Sequence, residues 1–244
     1  MNPGAPAEAT PSLSQTDTVI HRIKAMILEG SLGPGARLPV EKDLAAQLGV
    51  SRGSLREGVR ALAHMGVLET RQGDGTYVTS LEAGRLLSPL GFLADLPTPG
   101  NAAHLLGVRR ALEAESVSLA ATHISADALA ALAHTLDKGD AAGDDADLDA
   151  FLDADTEFHL HIAQASGNPA LAALVGSLLG STERARVVRA MHDRGAVAAT
   201  QAEHRAILAE LTRRDPQRAR VRMEAHLMGV EEFARDHDLD AASQ

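Results

Sequence analysis

The chain has 244 residues, 45% of them apolar and only 2% aromatic, with no Cys and a formal net charge of −10. That length allows two domains with real cores, and the missing Cys exclude disulfides and thiolate metal sites. Nowhere do about 18 apolar residues run together, which excludes a helical membrane span. Up to Ser80 eight basic residues balance eight acidic ones, so the whole negative excess lies beyond it. A neutral head with clustered Arg on an acidic body suits a DNA reader whose C-terminal part faces away from the phosphates.

The opening stretch 1–16, MNPGAPAEATPSLSQT, lacks a charged n-region and an apolar h-region, so it reads as a disordered arm and not as a signal peptide. With no Cys either, a reducing cytoplasm is the expected setting. The strongest pattern follows, from Leu38 to Val78. Leu44, Ala45 and Leu48 mark one buried helix face, and Gly49 permits a tight turn to a second helix. Val50 fills the angle, and Ser51 is a good N-cap for the helix carrying Leu55, Val59 and Leu62 on one stripe. Arg52 and Arg56 lie beside that stripe on the first turns, the part of a recognition helix that reaches base edges. Residues 67–71 and 76–79 read as short strands, joined through Gln72-Gly73-Asp74-Gly75. The pattern is a winged helix-turn-helix over 17–80. A helical hairpin followed by an ordinary β-hairpin is the competing reading.

This segment resembles the N-terminal head of the GntR family of bacterial transcription regulators. The match runs from Val19-x-x-x-Ile23, through Gly30-x-Leu32-x-Pro34-Gly35-x-x-Leu38-Pro39, to Gly73-x-Gly75-Thr76. The resemblance implies that Lys42, Ser51, Arg52, Ser54, Arg56 and Gly73 line an interface with double-stranded operator DNA. Arg52 and Arg56 are the candidates for guanine, because a guanidinium matches the O6/N7 edge. Lys42 and the Ser51 cap are placed on phosphate, and Gly73 lets the wing approach the minor groove.

Beyond the wing the pattern is helical throughout, predicting an all-α bundle of about seven helices. They are expected near 82–95, 101–122, 126–138, 147–166, 169–191, 195–213 and 216–236. Breaks are expected at 97–100, Gly139 to Gly143, 167–169 and 215–216. Pro169 and Pro216 fit first-turn positions, and Ser125 and Asp215 fit N-caps. The expected organisation is therefore the head at 17–80, a connecting helix and linker at 81–100, a ligand-binding domain at 101–238 and a tail at 239–244.

The informative residues are polar groups on buried stripes. Phe151, Leu152, Phe158 and Ile162 define one stripe, and Asp155 and His159 fall inside it one turn apart. His204 shares a face with Ile207, Leu208 and Leu211, and His226 with Met223, Val230 and Phe233. A single inward His is more often a hydrogen-bonded core residue. Four inward groups of compatible type favour a divalent transition metal, Zn²⁺ or Ni²⁺, because buried ionisable groups are costly unless paired or metal-bound. Asp153, His161 and the remaining His residues fall outside these stripes and receive no role.

Asp155-x-x-Phe158-His159, Ser166-Gly167-Asn168-Pro169, Glu203-His204-x-x-Ile207 and His226 resemble the FCD ligand-binding domain of the FadR subfamily. In metal-binding members these positions hold the ion, so the resemblance implies Asp155, His159, His204 and His226 as ligands. It also implies that Arg109, inside the stripe of Leu105, Leu106 and Leu112, clamps an effector carboxylate. A helical salt bridge from Arg109 to Glu113 is the alternative, and the two are compatible. Where the family often has Glu two positions before this arginine, the chain has Gly107.

Together these readings predict a homodimeric repressor, not an enzyme, whose metal holds a small organic acid. Binding of the acid would shift the DNA heads through the segment around Leu81–Pro99. A metal-dependent hydrolase is a second reading, without an inward Glu to serve as general base. A metal-free sensor of a long-chain acyl thioester is a third.

Overall fold

The computed structural model describes residues 14–87, 89, 100–192 and 195–237, and for 143–146 and 181 the backbone alone. Most of the expected arm, the linker and the tail lie outside them, as does the proposed transmission segment from 88 to 99 save one residue. The chain divides into two compact units, one up to Leu86 and one from Leu87.

The first unit orders as α1 (Gln15–Leu28), α2 (Glu41–Leu48), α3 (Arg52–His64), β1 (Leu68–Arg71), β2 (Gly75–Val78) and the short α4 (Ala83–Leu87). Helix α1 starts at a capping box, in which Ser14 accepts from the Asp17 amide and the Asp17 carboxylate accepts from the Ser14 amide. Its Val19 and Ile23, one turn apart, are fully buried with Leu44, Leu55, Leu62, Leu68 and Val78. Between α2 and α3 Gly49 takes a left-handed conformation at φ 68° and ψ 32°, where a Cβ would be strained. The Ser51 hydroxyl accepts from the Ser54 amide at 3.0 Å, the cap expected from its position. Strands β1 and β2 pair antiparallel from Leu68↔Val78 to Arg71↔Gly75. The segment before α2 joins them: Leu38 donates to the Thr76 carbonyl at 2.8 Å and Val78 donates to the Ala36 carbonyl at 2.8 Å.

The second unit contains α5 (Asn101–His123), α6 (Ala126–Ala146), α7 (Leu148–Ala165), α8 (Pro169–Ser181), α9 (Glu183–His192), α10 (Ala196–Arg213) and α11 (Pro216–Asp236). Ser125 and Asp215 cap α6 and α11 through the Ala128 and Arg218 amides, and Pro169 and Pro216 occupy first-turn positions. Its main core gathers Val117, Ile124, Leu132, Phe158, Ile162, Ile207, Leu211, Met223 and Leu227. Ala120, Ala121 and Ala219 are buried among them.

Helix α4 is described only to Leu87, so the longer helix expected to 95 lies outside the described residues. Two other expectations need correction. Helix α6 runs through the break expected at Gly139–Gly143. A Cβ on Gly139 would lie 2.4 Å from Gln201 Nε2, which donates to the Leu136 carbonyl and the Asp140 carboxylate, both at 3.0 Å. Gly139 is therefore a close-approach position and not a turn, and the bonds to Gln201 compensate its poor helix propensity. The helix expected at 169–191 is two, α8 and α9, divided at Thr182. The Gly180-Ser181-Thr182 cluster marks that division, because Gly and Thr are poor helix formers, and the sequence reading passed over it.

Candidate metal centre and nucleic-acid interface

Helix α7 carries Asp155 and His159 on its buried face, α10 carries His204, and α11 carries His226; each is at most 5% exposed. Their donor atoms converge. His226 Nε2 lies 3.3 Å from both His159 Nε2 and His204 Nε2. Asp155 Oδ1 lies 3.6 Å from His204 Nε2 and 4.0 Å from His159 Nε2. Bonds of about 2.0–2.1 Å to one ion separate neighbouring ligand atoms by about 3.0–3.4 Å. His226 already holds that spacing to both other imidazoles, and the three rings form a group that could hold an ion, with Asp155 farther off and beside two of them.

The outer nitrogens decide which form the rings take. His159 Nδ1 donates to the Glu113 carboxylate, and His226 Nδ1 donates to Glu203 Oε2 at 2.7 Å. With Nδ1 given to a carboxylate, each ring directs its Nε2 at the other across 3.3 Å, where a proton or a cation would bridge them. The paired outer carboxylates are the support that orients metal-binding imidazoles elsewhere. Burial lowers the His204 pKa well below its usual range, and the neighbouring His226 adds to that, so its ring is neutral too. Burial likewise lowers the His159 pKa, with Glu113 opposing only in part.

Two buried arginine–carboxylate pairs flank this cluster. Arg109 Nε donates to Glu113, whose other oxygen takes His159, and Arg109 Nη1 reaches the Thr182 hydroxyl at 3.2 Å. Burial alone would raise the Glu113 pKa, but Arg109 and His159 outweigh it and hold the group at about 2. Arg186 Nη1 donates to Asp155 Oδ2 and to the Thr156 hydroxyl at 3.0 Å, and its Nη2 donates to the Leu179 carbonyl at 2.9 Å. Burial opposes the ionised form of Asp155 as well, yet Arg186 and then His159 and His204 keep it far below the usual carboxylate range. Arg109 Nη2 and Arg186 Nε are buried without a hydrogen-bond partner. Both arginines line a small cavity of about 20 Å³ together with Asp155, Arg189, Thr200 and His226, room for roughly one water-sized group.

The structure thus brings the three candidate imidazoles together, with Asp155 beside two of them and paired with Arg186, and places Arg109 next to the cluster. The salt bridge to Glu113 and a place on the cavity wall coexist, as the alternatives allowed. Arg110, next to it on the helix, is half-buried and pairs with Glu231 at 3.0 Å. Glu231 stands 3.7 Å from where a Gly107 Cβ would be, so a carboxylate from α11 adjoins the face where the family often has Glu. Sequence reading missed Arg186, because its helix was taken as continuous with α8 and the face could not be phased across the division. It also missed that Glu113 serves His159, a contact set by α5 against α7 and carried by no local pattern.

In the first unit Lys42, Ser51, Arg52, Arg56 and Gly73 are exposed, and Ser54 is half-buried. Ser54 donates to Gln15 Oε1 at 3.1 Å, tying α1 to the start of α3. Between α3 and the wing runs an open groove lined by Arg37, Arg56, Arg60, Arg71 and Gly73. Tyr77 lies under the Arg71 guanidinium at 4.2 Å and donates to Asp74 Oδ2 at 2.8 Å. The sequence reading named Arg56 and Gly73 but not the other three arginines of this groove.

A winged helix-turn-helix followed by a helical ligand-binding unit defines a class of bacterial DNA-binding regulators, not of enzymes. Residues 15–78 match the family model of bacterial regulatory proteins, gntR family, and residues 104–229 match the FCD domain. The HTH-type transcriptional repressor NanR of Salmonella newport is 32% identical over 220 residues, covering 88% of this chain and 83% of that protein. The protein of the same name from Salmonella typhi is 31% identical over the same length. A solved structure, Streptococcus agalactiae GntR, superposes with a TM-score of 0.68 at 30% identity over 89% of this chain and 99% of that one. E. coli McbR/YncC, at 22% identity and a TM-score of 0.50, shares the fold. The chain belongs to the GntR family, in its FadR-type subfamily with an FCD domain. Among the described residues no helix is long and apolar enough to cross a membrane.

Proposed function

We propose that the protein is a cytoplasmic, metabolite-responsive repressor that binds operator DNA as a homodimer and holds a divalent metal, Zn²⁺ or Ni²⁺, at Asp155, His159, His204 and His226. The observation that carries the metal is the convergence of three buried imidazole nitrogens, two of whose rings have their outer nitrogens bonded to carboxylates. Such an ion would offer its open positions to one carboxylate of a small organic acid. Arg109, whose Nη2 is buried without a partner on the cavity wall, supplies the second anchor for that acid. A long acyl chain is disfavoured, because Arg109, Arg186, Arg189 and Asp155 make the wall strongly charged; the cavity must widen to admit an acid. The names of the Salmonella relatives support repression.

On DNA, Arg52 and Arg56 read guanine, Lys42 and the Ser51 cap hold phosphate, and Ser54 and Gly73 complete the contact. Arg52→Ala should weaken operator binding by about 1–3 kcal/mol and relax preference at one base pair. A gel-shift series across operator variants at fixed salt checks this; unchanged affinity and preference would remove Arg52 from the contact. One recognition helix addresses only a few base pairs, so two heads on a palindromic site are required for specificity. Multi-angle light scattering should accordingly give twice the 25.5 kDa chain mass, and a monomer that still binds its operator would sink the dimer.

A further inference from the structure

We infer that Glu41 is a positioning residue for base reading: it holds the Arg56 guanidinium by one edge so that the opposite edge faces a guanine. The inference rests on the proposed contact of Arg56 with bases and adds a second residue to it. Glu41 opens α2, and Arg56 lies on the second turn of α3. Arg56 Nε donates to Glu41 Oε1 at 3.1 Å and Oε2 at 2.9 Å, and Arg56 Nη2 meets Oε2 at 2.8 Å. Those bonds occupy the side-on edge of the guanidinium, Nε with one Nη2 hydrogen. The end-on pair, Nη1 with the other Nη2 hydrogen, is left free, and that is the pair whose fork fits the O6 and N7 acceptors of guanine.

Both side chains are more than half exposed, so the pair adds little to the stability of the fold. A carboxylate on a face that must approach phosphates is also unfavourable by itself. Arg37, Arg60 and Arg71 line the same groove, yet the carboxylate of Glu41 is bonded to Arg56. A long arginine free to sample many rotamers would lose that freedom on contact with a base; held by Glu41, it loses less.

The test uses the full chain and a duplex selected by it from a randomised DNA pool. Each guanine of that duplex is then replaced in turn, and binding is measured at fixed salt for wild type, E41A, E41Q, R56A and E41A/R56A. Removing one acidic group should tighten binding of E41A to random-sequence DNA. The preference of E41A for the selected duplex over one guanine replacement should nevertheless fall about tenfold. E41Q, which keeps one acceptor oxygen, should fall between. In the R56A background E41A should leave that preference unchanged. If E41A tightens all duplexes equally, Glu41 only competes for Arg56 and the inference fails. If the preference falls as much in the R56A background, Glu41 touches a base itself and positioning is again refuted. Should R56A alone alter no preference, the base-reading role of Arg56 fails first, and the role of Glu41 with it.

Discussion

Replacing His204 by Ala should strip the C-terminal unit of its divalent ion, from about one per chain to nearly none, while the head still binds DNA. His204 Nε2 is one of three imidazole donors around the site, and its loss leaves only His159, His226 and Asp155. Effector control should vanish with the ion, because the acid would lose its first anchor. The ring also stacks on Phe158 at a centroid distance of 4.3 Å, so Ala opens a gap in the core. His204→Leu refills that gap and should lose the metal equally, which separates ligation from packing. Elemental analysis of wild type and both variants, followed by titration with organic acids in an operator-binding assay, checks the point. Equal metal in all three proteins, or a full response without metal, would return the four residues to the role of an ordinary polar core.

Glu113→Ala should strongly destabilise the second unit. Glu113 and Arg109 are each 1% exposed, and Glu113 also accepts from His159. Removing the carboxylate leaves a guanidinium buried without a counter-charge, which costs about 3–5 kcal/mol. Thermal unfolding of the full chain should show a transition lowered by roughly 10 °C. The same change should weaken metal binding about 10–100-fold, because His159 loses the acceptor that fixes its tautomer. Glu113→Gln keeps an acceptor for His159 and should retain most of the metal affinity while still losing stability. A shift of less than about 2 °C for Glu113→Ala would mean that water reaches Arg109, and the buried pair would then be no structural element.

Most of the fold was legible because it obeys simple periods. The stripe of α7 could be read from Phe151 to Ile162, and it carried Asp155 and His159 inward with it. The caps at Ser51, Ser125 and Asp215 are local chemistry, each a side-chain oxygen meeting an amide three residues on. What escaped depended on distant partners. Gly139 resembles a helix breaker until Gln201 of α10 is placed against it. The division at Thr182 is marked by Gly180-Ser181-Thr182 alone, which was passed over, and Arg186 was lost with it. Glu113 was correctly paired with Arg109 along one helix, whereas its second role toward His159 exists only once two helices pack. Ligands repeat on a helix face and can be counted, but the groups that orient them come from whichever helix lies behind.

The three-way pairing around β2 has a consequence for how the head meets a duplex. Two short strands alone are barely stable in water. Here the chain leading into α2 adds its own hydrogen bonds from Leu38 to Thr76 and from Val78 to Ala36. Wing tip and helix-turn-helix are thereby riveted like the jaws of a fixed caliper, which cannot be reset to suit the object measured. A groove of the wrong width must itself be bent or squeezed to fit, and the ease of doing so varies with base-pair composition. Base pairs lying between the jaws would then be selected for pliancy although no side chain touches them.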